Sequence, residues 1–238
     1  MSESGSAVGS SLGSRRRRRL RAVRSHWGTL GFYHEPRGLR LGRPLGSVRP
    51  VSSPVSNDVK SDVKSSPVAL ARLEAGHAPA IVAWLSDPVV SSNLGLRSQP
   101  TLEKTFAFIA AAASDETAGA LAARAILLGG RHVGNVVLDQ IDRHVGKARL
   151  HIYVGDPAAR GHGVGQRAVR LAVALAFDEL GLHKVWLTVH AKNAAAIRAY
   201  ERAGFRVEGT HREEFFLDGE RVDELYMGVL KGEETRAP

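Results

Sequence analysis

The chain has 238 residues, which is enough for one domain of ordinary size and some additional chain. It contains no cysteine, so disulfides, thiolate metal sites and a cysteine nucleophile are excluded. The formal net charge is +9, but residues 1–64 hold 13 Lys and Arg against 4 Asp and Glu, while the remaining residues hold 20 of each. These numbers exclude a generally basic nucleic-acid surface on residues 65–238, and no apolar run approaches the ~20 residues of a membrane span.

Residues 1–64 differ in composition from the rest of the chain. They are rich in Ser, Gly, Arg and Pro, include the unbroken run Arg15–Arg19, and show no sustained apolar period. This composition predicts a disordered basic leader. The arginine run fits either a solvated tail or a tether to RNA or another anionic surface, and the sequence leaves both open.

The apolar periodicity that follows predicts alternating strands and helices. A helix after Glu74 is expected to end near Asp87, because Pro88 disfavours helical geometry in the residue before it. The pair Gly129–Gly130 predicts a hairpin turn between two strands. The elements predicted here are a strand at 68–73, helices within 74–88 and 101–116, and strands within 119–128, 131–141 and 148–156.

The remaining residues are predicted to contain two helices, one strand and a terminal hairpin. The elements are a mostly buried helix at 163–180, a strand at 183–190, a helix at 193–205 opened by Asn193, and a hairpin turned at Asp218–Gly219. The predicted order has antiparallel strands first and then strands that alternate with two helices. This order indicates an α/β (α+β) fold with a mixed, largely antiparallel central sheet and helices on both faces. We therefore expect one domain at 65–232 and a short tail at 233–238.

The stretch "ARGHGVG" (159–165) places glycine at every second position between a predicted strand and a predicted helix. Free N–H groups and the positive end of the dipole at a helix start bind phosphate, and glycines let phosphate oxygens approach the backbone. A tight turn that binds nothing would explain the glycines equally well. A dinucleotide-binding site would need an acidic residue at the end of the following strand, and a nucleotide-hydrolase phosphate loop would need the pattern G-K-[ST]. This sequence has neither, so both kinds of site are disfavoured.

Several motifs in order resemble the GNAT superfamily of N-acetyltransferases. The loop matches the superfamily's [QR]-x-x-G-x-[GA] pattern at Arg160, Gly163 and Gly165, and "LHKVWLTVHAKNAAAIRAYERAGFRVEG" is similar to its fifth strand, asparagine-led helix and sixth strand. The stretches "AWLSDPVV" and "EGTHREEFFLDGERVDELYMGVL" resemble the branch that acetylates ribosomal-protein N-termini, with relatives acting on amino sugars and polyamines. The resemblance covers roughly residues 66–232.

This resemblance implies acetyl-CoA as co-substrate and assigns residues to it. It implies backbone pairing of Ile152 and Val154 with the pantetheine arm, a bond from Asn193 to the same arm, and protonation of the leaving sulfur by Tyr200. The pyrophosphate cradle implied by the resemblance consists of Arg160, Gly161, His162, Gly163, Val164 and Gly165. The plain alternatives are an N-cap for Asn193 and core packing with Ile197 for Tyr200.

The general base is the least determined residue. Strand 148–156 alternates, with Leu150, Ile152 and Val154 on one face and Arg149, His151 and Tyr153 on the other. Relatives in this branch often carry a glutamate where this chain has Arg149, which puts a carboxylate base on this strand in doubt. His151 on the same face is the candidate base, and a packed histidine or a water chain are the alternatives. The histidines His132, His144 and His190 show no metal-ligand spacing and are predicted at the surface or at strand ends.

The function expected is transfer of an acetyl group from acetyl-CoA to a primary amine, which is a protein N-terminus or a small amine such as an amino sugar or polyamine. The alternative is a non-catalytic acetyl-CoA-binding module tethered to RNA or a protein partner through the leader. We expect no metal, no membrane association, a cytoplasmic location and a monomer or homodimer. Nucleic acid is expected only through Arg15–Arg19.

Overall fold

The computed structural model describes residue 63, residues 65–96 and residues 98–234. The predicted leader at 1–64 lies outside these residues, except for Val63. Its disorder and its possible contact with nucleic acid stay predictions. No helix within the described residues is long and apolar enough to cross a membrane.

A seven-stranded sheet forms the centre of the domain in the order β1-β2-β3-β4-β5-β7-β6. All neighbouring strands are antiparallel except β4 and β5, which are parallel. The predicted mixed, largely antiparallel sheet is therefore confirmed. The strands are β1 (Val68–Arg72), β2 (Ala122–Leu128), β3 (Arg131–Asp142), β4 (Lys147–Val154), β5 (Lys184–His190), β6 (Arg206–Leu217) and β7 (Glu220–Leu230).

Five α-helices cover the two faces of the sheet in the described part of the chain. They are α1 (Ala78–Leu85), α2 (Pro88–Leu94), α3 (Leu102–Thr117), α4 (Val164–Ala174) and α5 (Ala194–Glu201). Short 3-10 turns lie at Ala75–His77 and Pro157–Ala159. One core forms where α4 packs on the sheet, and a second forms under α1, α2 and α3. Helices on both faces were predicted and are confirmed.

Two predicted helices have different boundaries in the structure. The helix predicted to end near Asp87 ends at Leu85, and Asp87 instead opens α2, where its Oδ1 accepts from the Val89 N–H. The residue Pro88 takes the first position of α2, where its missing N–H costs nothing. The helix predicted at 163–180 is α-helical to Ala174 and continues as a π-helical turn at Leu175–Glu179.

Candidate active site

The strands β4 and β5 part from each other along most of their length. Their parallel pairing covers only Lys147–Arg149 and Lys184–Trp186. Beyond that point, no described strand pairs with the β5-facing edge of Leu150–Val154. Because β4 and β5 are parallel, their carboxyl ends lie at the same edge of the sheet. The glycine loop (159–165), which follows β4, and the Asn193 turn (191–193), which follows β5, therefore border one opening.

Backbone groups of β4 point into this opening. The Gly155 N–H donates to the Val133 carbonyl of β3 at 2.8 Å, so residue 155 faces β3. Since consecutive residues of a strand face opposite edges, Val154 and Ile152 direct their N–H and C=O groups toward β5. Their pairing with a pantetheine arm stays a prediction. The Val154 carbonyl also accepts from Arg160 Nε at 3.0 Å, which leaves its N–H as the group directed at the opening.

The glycine loop turns from β4 into α4 through two left-handed residues. Gly161 has a φ of +78° and Gly163 has a φ of +74°, values that residues with a side chain rarely adopt. A Cβ on either residue would have nothing within 4 Å, so both face open space. Gly165 is helical, and its Cβ would meet Val154 Cγ2 at 3.6 Å. The first helical bond of α4 runs from the Arg167 N–H to the Gly163 carbonyl, so the preceding N–H groups at the helix start are available to an anion.

The other three residues of the predicted cradle differ in their exposure. Val164 is buried and contributes its backbone alone, whereas His162 is half-buried. Arg160 binds the loop to the rest of the domain, because its guanidinium donates to the Gly155 carbonyl at 2.7 Å and to Asp87 Oδ2 at 3.0 Å. Arg160 therefore links the cradle to the start of α2 as well as bringing a positive charge to it.

The side chain of Asn193 joins two helices. Its Oδ1 accepts from the Ala196 N–H at 3.1 Å and caps α5, as the plain alternative to a ligand role required. Its Nδ2 donates to Asn93 Oδ1 of α2 at 3.3 Å. The N-cap role is thus present, and it places the amide at the end of the β4–β5 opening.

Tyr200 lies two turns further along α5. Its ring packs against the α4 core and lies 5.8 Å from the Phe205 ring. The Tyr200 hydroxyl has no hydrogen-bond partner among the described residues, and burial raises the pKa of Tyr200 to about 12. The phenol therefore keeps its proton throughout the neutral range. Core packing and a proton-donor role are compatible in this position.

His151 faces the side of the sheet that α1, α2 and α3 cover. Its Nε2 lies 3.2 Å from Asp139 Oδ1 on β3, and Asp139 is buried. The pairing with a buried carboxylate orients the imidazole, which the sequence did not indicate. On the same face Arg149 donates to Thr188 Oγ1 at 2.9 Å and lies 5.2 Å from the centre of the Trp186 ring.

Three residues that the sequence did not select contribute to this region: Asp139, Asn93 and His190. His190 was predicted at the surface or at a strand end; it ends β5, but it is buried with 4% of its surface exposed. His190 ends an apolar strand shortly before the Asn193 cap, and this position is the one sequence signal that could have marked it as a site residue. No three His, Asp or Glu side chains of the described residues converge as a metal site requires, and the expected absence of a metal stays a prediction.

A family model described as an acetyltransferase (GNAT) domain matches residues 68–206, which is more than half of the chain. The chain belongs to this family. Spermidine N(1)-acetyltransferase from Escherichia coli K12 is 33% identical over 102 residues, covering 43% of this chain and 54% of that protein. The probable N-acetyltransferase YjcK from Bacillus subtilis is 35% identical over 106 residues, covering 44% of this chain and 59% of that protein. The chain thus spans little more than half the length of these curated relatives.

Solved structures support the GNAT fold. A crystal structure of spermidine N-acetyltransferase from Vibrio cholerae, in complex with CoA and spermine, has a TM-score of 0.63 at 24% identity. The match covers 70% of this chain and 96% of that chain. At this identity, the likeness establishes the fold and confirms the architecture expected from the sequence.

Proposed function

We propose that this GNAT protein transfers the acetyl group of acetyl-CoA to a primary amine. The observation that carries the proposal is the opening between β4 and β5, which starts after Arg149 and has the glycine loop at one border and the Asn193 turn at the other. An extended ligand with a diphosphate at one end fits such an opening. Names of relatives support an amine acceptor, since several of the matched proteins are named spermidine acetyltransferases.

The residues present fit CoA at this place. A diphosphate would fit the open space beside Gly161 and Gly163, where the N–H groups at the start of α4 could bind it. The amides of a pantetheine arm would fit the unpaired backbone edge of Ile152 and Val154. Acetyl-CoA supplies an activated acetyl thioester when bound. Asn193 is proposed to bond the arm through its amide while its Oδ1 caps α5.

Tyr200 is proposed to give its hydroxyl proton to the sulfur as the C–S bond breaks. Its raised pKa keeps the proton on the phenol until negative charge develops on the sulfur. His151, oriented by Asp139, is proposed to take the proton that the amine loses as its nitrogen bonds to the acetyl carbon. The reacting ammonium group loses one proton to solvent before attack, and the other protons balance when solvent returns the one on His151 to Tyr200.

The acceptor proposed first is a cationic amine such as spermidine. The hairpin of β6 and β7 carries seven Asp and Glu against three Arg within residues 206–230, and this excess favours a cation near the site. Amino sugars and protein N-termini remain in the proposal as further acceptors. A cytoplasmic location is proposed because the chain lacks cysteine, and the oligomeric state stays a prediction.

The test is an acceptor panel assayed for release of free CoA. Spermidine, glucosamine and ribosomal-protein N-terminal peptides are each incubated with acetyl-CoA and the full chain, and the products are weighed by mass spectrometry. We expect CoA release matched by an N-acetylated acceptor. Tight CoA binding without acetyl transfer to any acceptor would instead favour the non-catalytic module.

A further inference from the structure

A buried histidine at the end of β5 has no part in the chemistry proposed above. His190 is 4% exposed, stacks on Phe215 at 5.2 Å between ring centres, and lies beside Asn93 of α2. It shares its face of β5 with Trp186 and Thr188, since residues two apart along a strand point the same way. This is the face opposite to α4, four residues beyond the last β4–β5 pair. His190 therefore lies beyond the last β4–β5 pair, on the side of the sheet away from the α4 core.

Hydrogen bonds of Asn93 fix the tautomer of His190. Asn93 Nδ2 donates to the Val89 carbonyl at 2.7 Å, and a carbonyl cannot donate, so the amide orientation is determined. Asn93 Oδ1 then faces His190 Nε2 at 2.9 Å and also accepts from Asn193 Nδ2 at 3.3 Å. Because Oδ1 only accepts, His190 Nε2 must carry the hydrogen. The lone pair of the neutral ring is consequently on Nδ1.

The Nδ1 atom of His190 is buried and has no hydrogen-bond partner among the described residues. A buried acceptor without a donor costs free energy, so such an atom normally has a ligand or a water. Burial lowers the pKa of His190, with Lys192 acting in the same direction and Glu224 and Asp218 against it. The ring is thus neutral near pH 7, and Nδ1 can accept a hydrogen bond there.

We propose that His190 Nδ1 accepts a hydrogen bond from an N–H of the acceptor amine, with Asn93 holding the imidazole in the required tautomer. This inference rests on the proposed function, because it needs an amine acceptor on this side of the sheet. The bond directs one N–H of the amine to His190 and leaves the nitrogen lone pair to face the thioester. Asn193, which also donates to Asn93, connects this acceptor contact to the turn that borders the cofactor.

A matched pair of substitutions separates the two nitrogens of His190. In His190→Gln the longer amide reaches the Nε2 position and keeps a donor to Asn93, but the Nδ1 acceptor is lost. In His190→Asn the shorter side chain puts an oxygen near the Nδ1 position instead. We expect His190→Gln to raise the KM of the best acceptor in the panel about 10-fold, which equals about 1.4 kcal/mol, with the KM of acetyl-CoA unchanged. His190→Asn should restore the acceptor KM to within about 3-fold.

Three kinetic results would overturn the inference. An unchanged acceptor KM in folded His190→Gln would mean that Nδ1 holds a resident water only. A change confined to the KM of acetyl-CoA would mean that the contact is with the cofactor. Loss in both variants without rescue by asparagine would mean a structural role, and thermal unfolding of each variant identifies that case.

Imidazole nitrogen NMR of the full chain tests the same inference without turnover. We expect His190 to be neutral with hydrogen on Nε2 at pH ~7.5, and its Nδ1 signal to move when CoA and spermidine are added together. A hydrogen on Nδ1, or a signal that stays in place while other residues respond to spermidine, would overturn the inference. If the panel shows no acetylation, the proposed function fails, yet this spectrum still decides whether His190 has the required tautomer and receives an amine.

Discussion

Replacing Gly163 by alanine tests whether the glycine loop is a binding site or only a turn, because a matched control exists. Gly163 has a φ of +74° and Gly181 has a φ of +66°, and a Cβ on either would meet nothing within 4 Å. An alanine at either position therefore carries the same backbone strain, about 1–2 kcal/mol, without a clash. The two variants should lose similar free energy of unfolding. The two glycines differ in their location, because only Gly163 lies at the start of α4.

The expected loss of CoA affinity follows from the contacts that a Cβ on Gly163 would block. The methyl group would project into the open space beside the first N–H groups of α4, where we place the diphosphate. Hydrogen bonds to a charged group contribute about 1.5–3 kcal/mol each. Loss of one such bond in Gly163→Ala corresponds to about a 10- to 150-fold rise in the Kd of CoA. Gly181→Ala should bind CoA as the parent does.

Titration calorimetry with CoA measures both affinities, and thermal unfolding confirms that both variants are folded. The reasoning is refuted if folded Gly163→Ala binds CoA within about twofold of Gly181→Ala. The glycines would then serve only to turn the chain.

Three further outcomes are expected. Tyr200→Phe should lower single-turnover acetyl transfer by up to roughly 10²–10⁴-fold while the KM of acetyl-CoA stays unchanged, because only the proton donor is removed. Gly155→Ala should destabilise the domain by about 1–3 kcal/mol or more in denaturant unfolding, since a Cβ there would lie 2.2 Å from the Trp84 ring. Burial lowers the pKa of both His132 and His190. Between these lowered pKa values and the ordinary value of 6.5, the unfolded chain therefore binds more protons than the folded chain. The free energy of unfolding should consequently fall as the pH drops through that window.

Each of these outcomes has a control. Gly209→Ala introduces a methyl group into open space at ordinary φ and should leave stability nearly unchanged, in contrast to Gly155→Ala. Equal turnover of Tyr200→Phe and the parent would make Tyr200 a core residue. A pH dependence of stability that is the same in His132→Asn would remove that histidine from the explanation.

Most strands and helices could be predicted from the sequence because their signals are local. The alternation of β4 places Ile152 and Val154 on one face, and Gly129–Gly130 and Asp218–Gly219 mark two of the three hairpin turns among the described residues. The helix α2 was missed because Pro88 was interpreted only as a terminator of the preceding helix. Asp87 as N-cap, Pro88 at the first position and Gly95 at the end were the signals that could have shown it.

The cofactor side of the candidate site was easier to predict than the acceptor side. The loop and Asn193 lie directly after strands, so their surroundings follow from the chain nearby. The pairs His151–Asp139 and His190–Asn93 join residues 12 and 97 positions apart and depend on strand register and on the packing of α2. No spacing in the sequence encodes such contacts. Similarly, Arg160 could be placed at the loop, whereas its bond to Asp87 required the fold.

Acetyl transfer itself is tested most directly by incubating the full chain with acetyl-CoA and spermidine and weighing the products. We expect N-acetylspermidine and free CoA to form in equal amounts, with both lost together in Tyr200→Phe. If the chain binds CoA but neither spermidine nor any other amine of the panel is acetylated, the proposal of an amine acetyltransferase is contradicted.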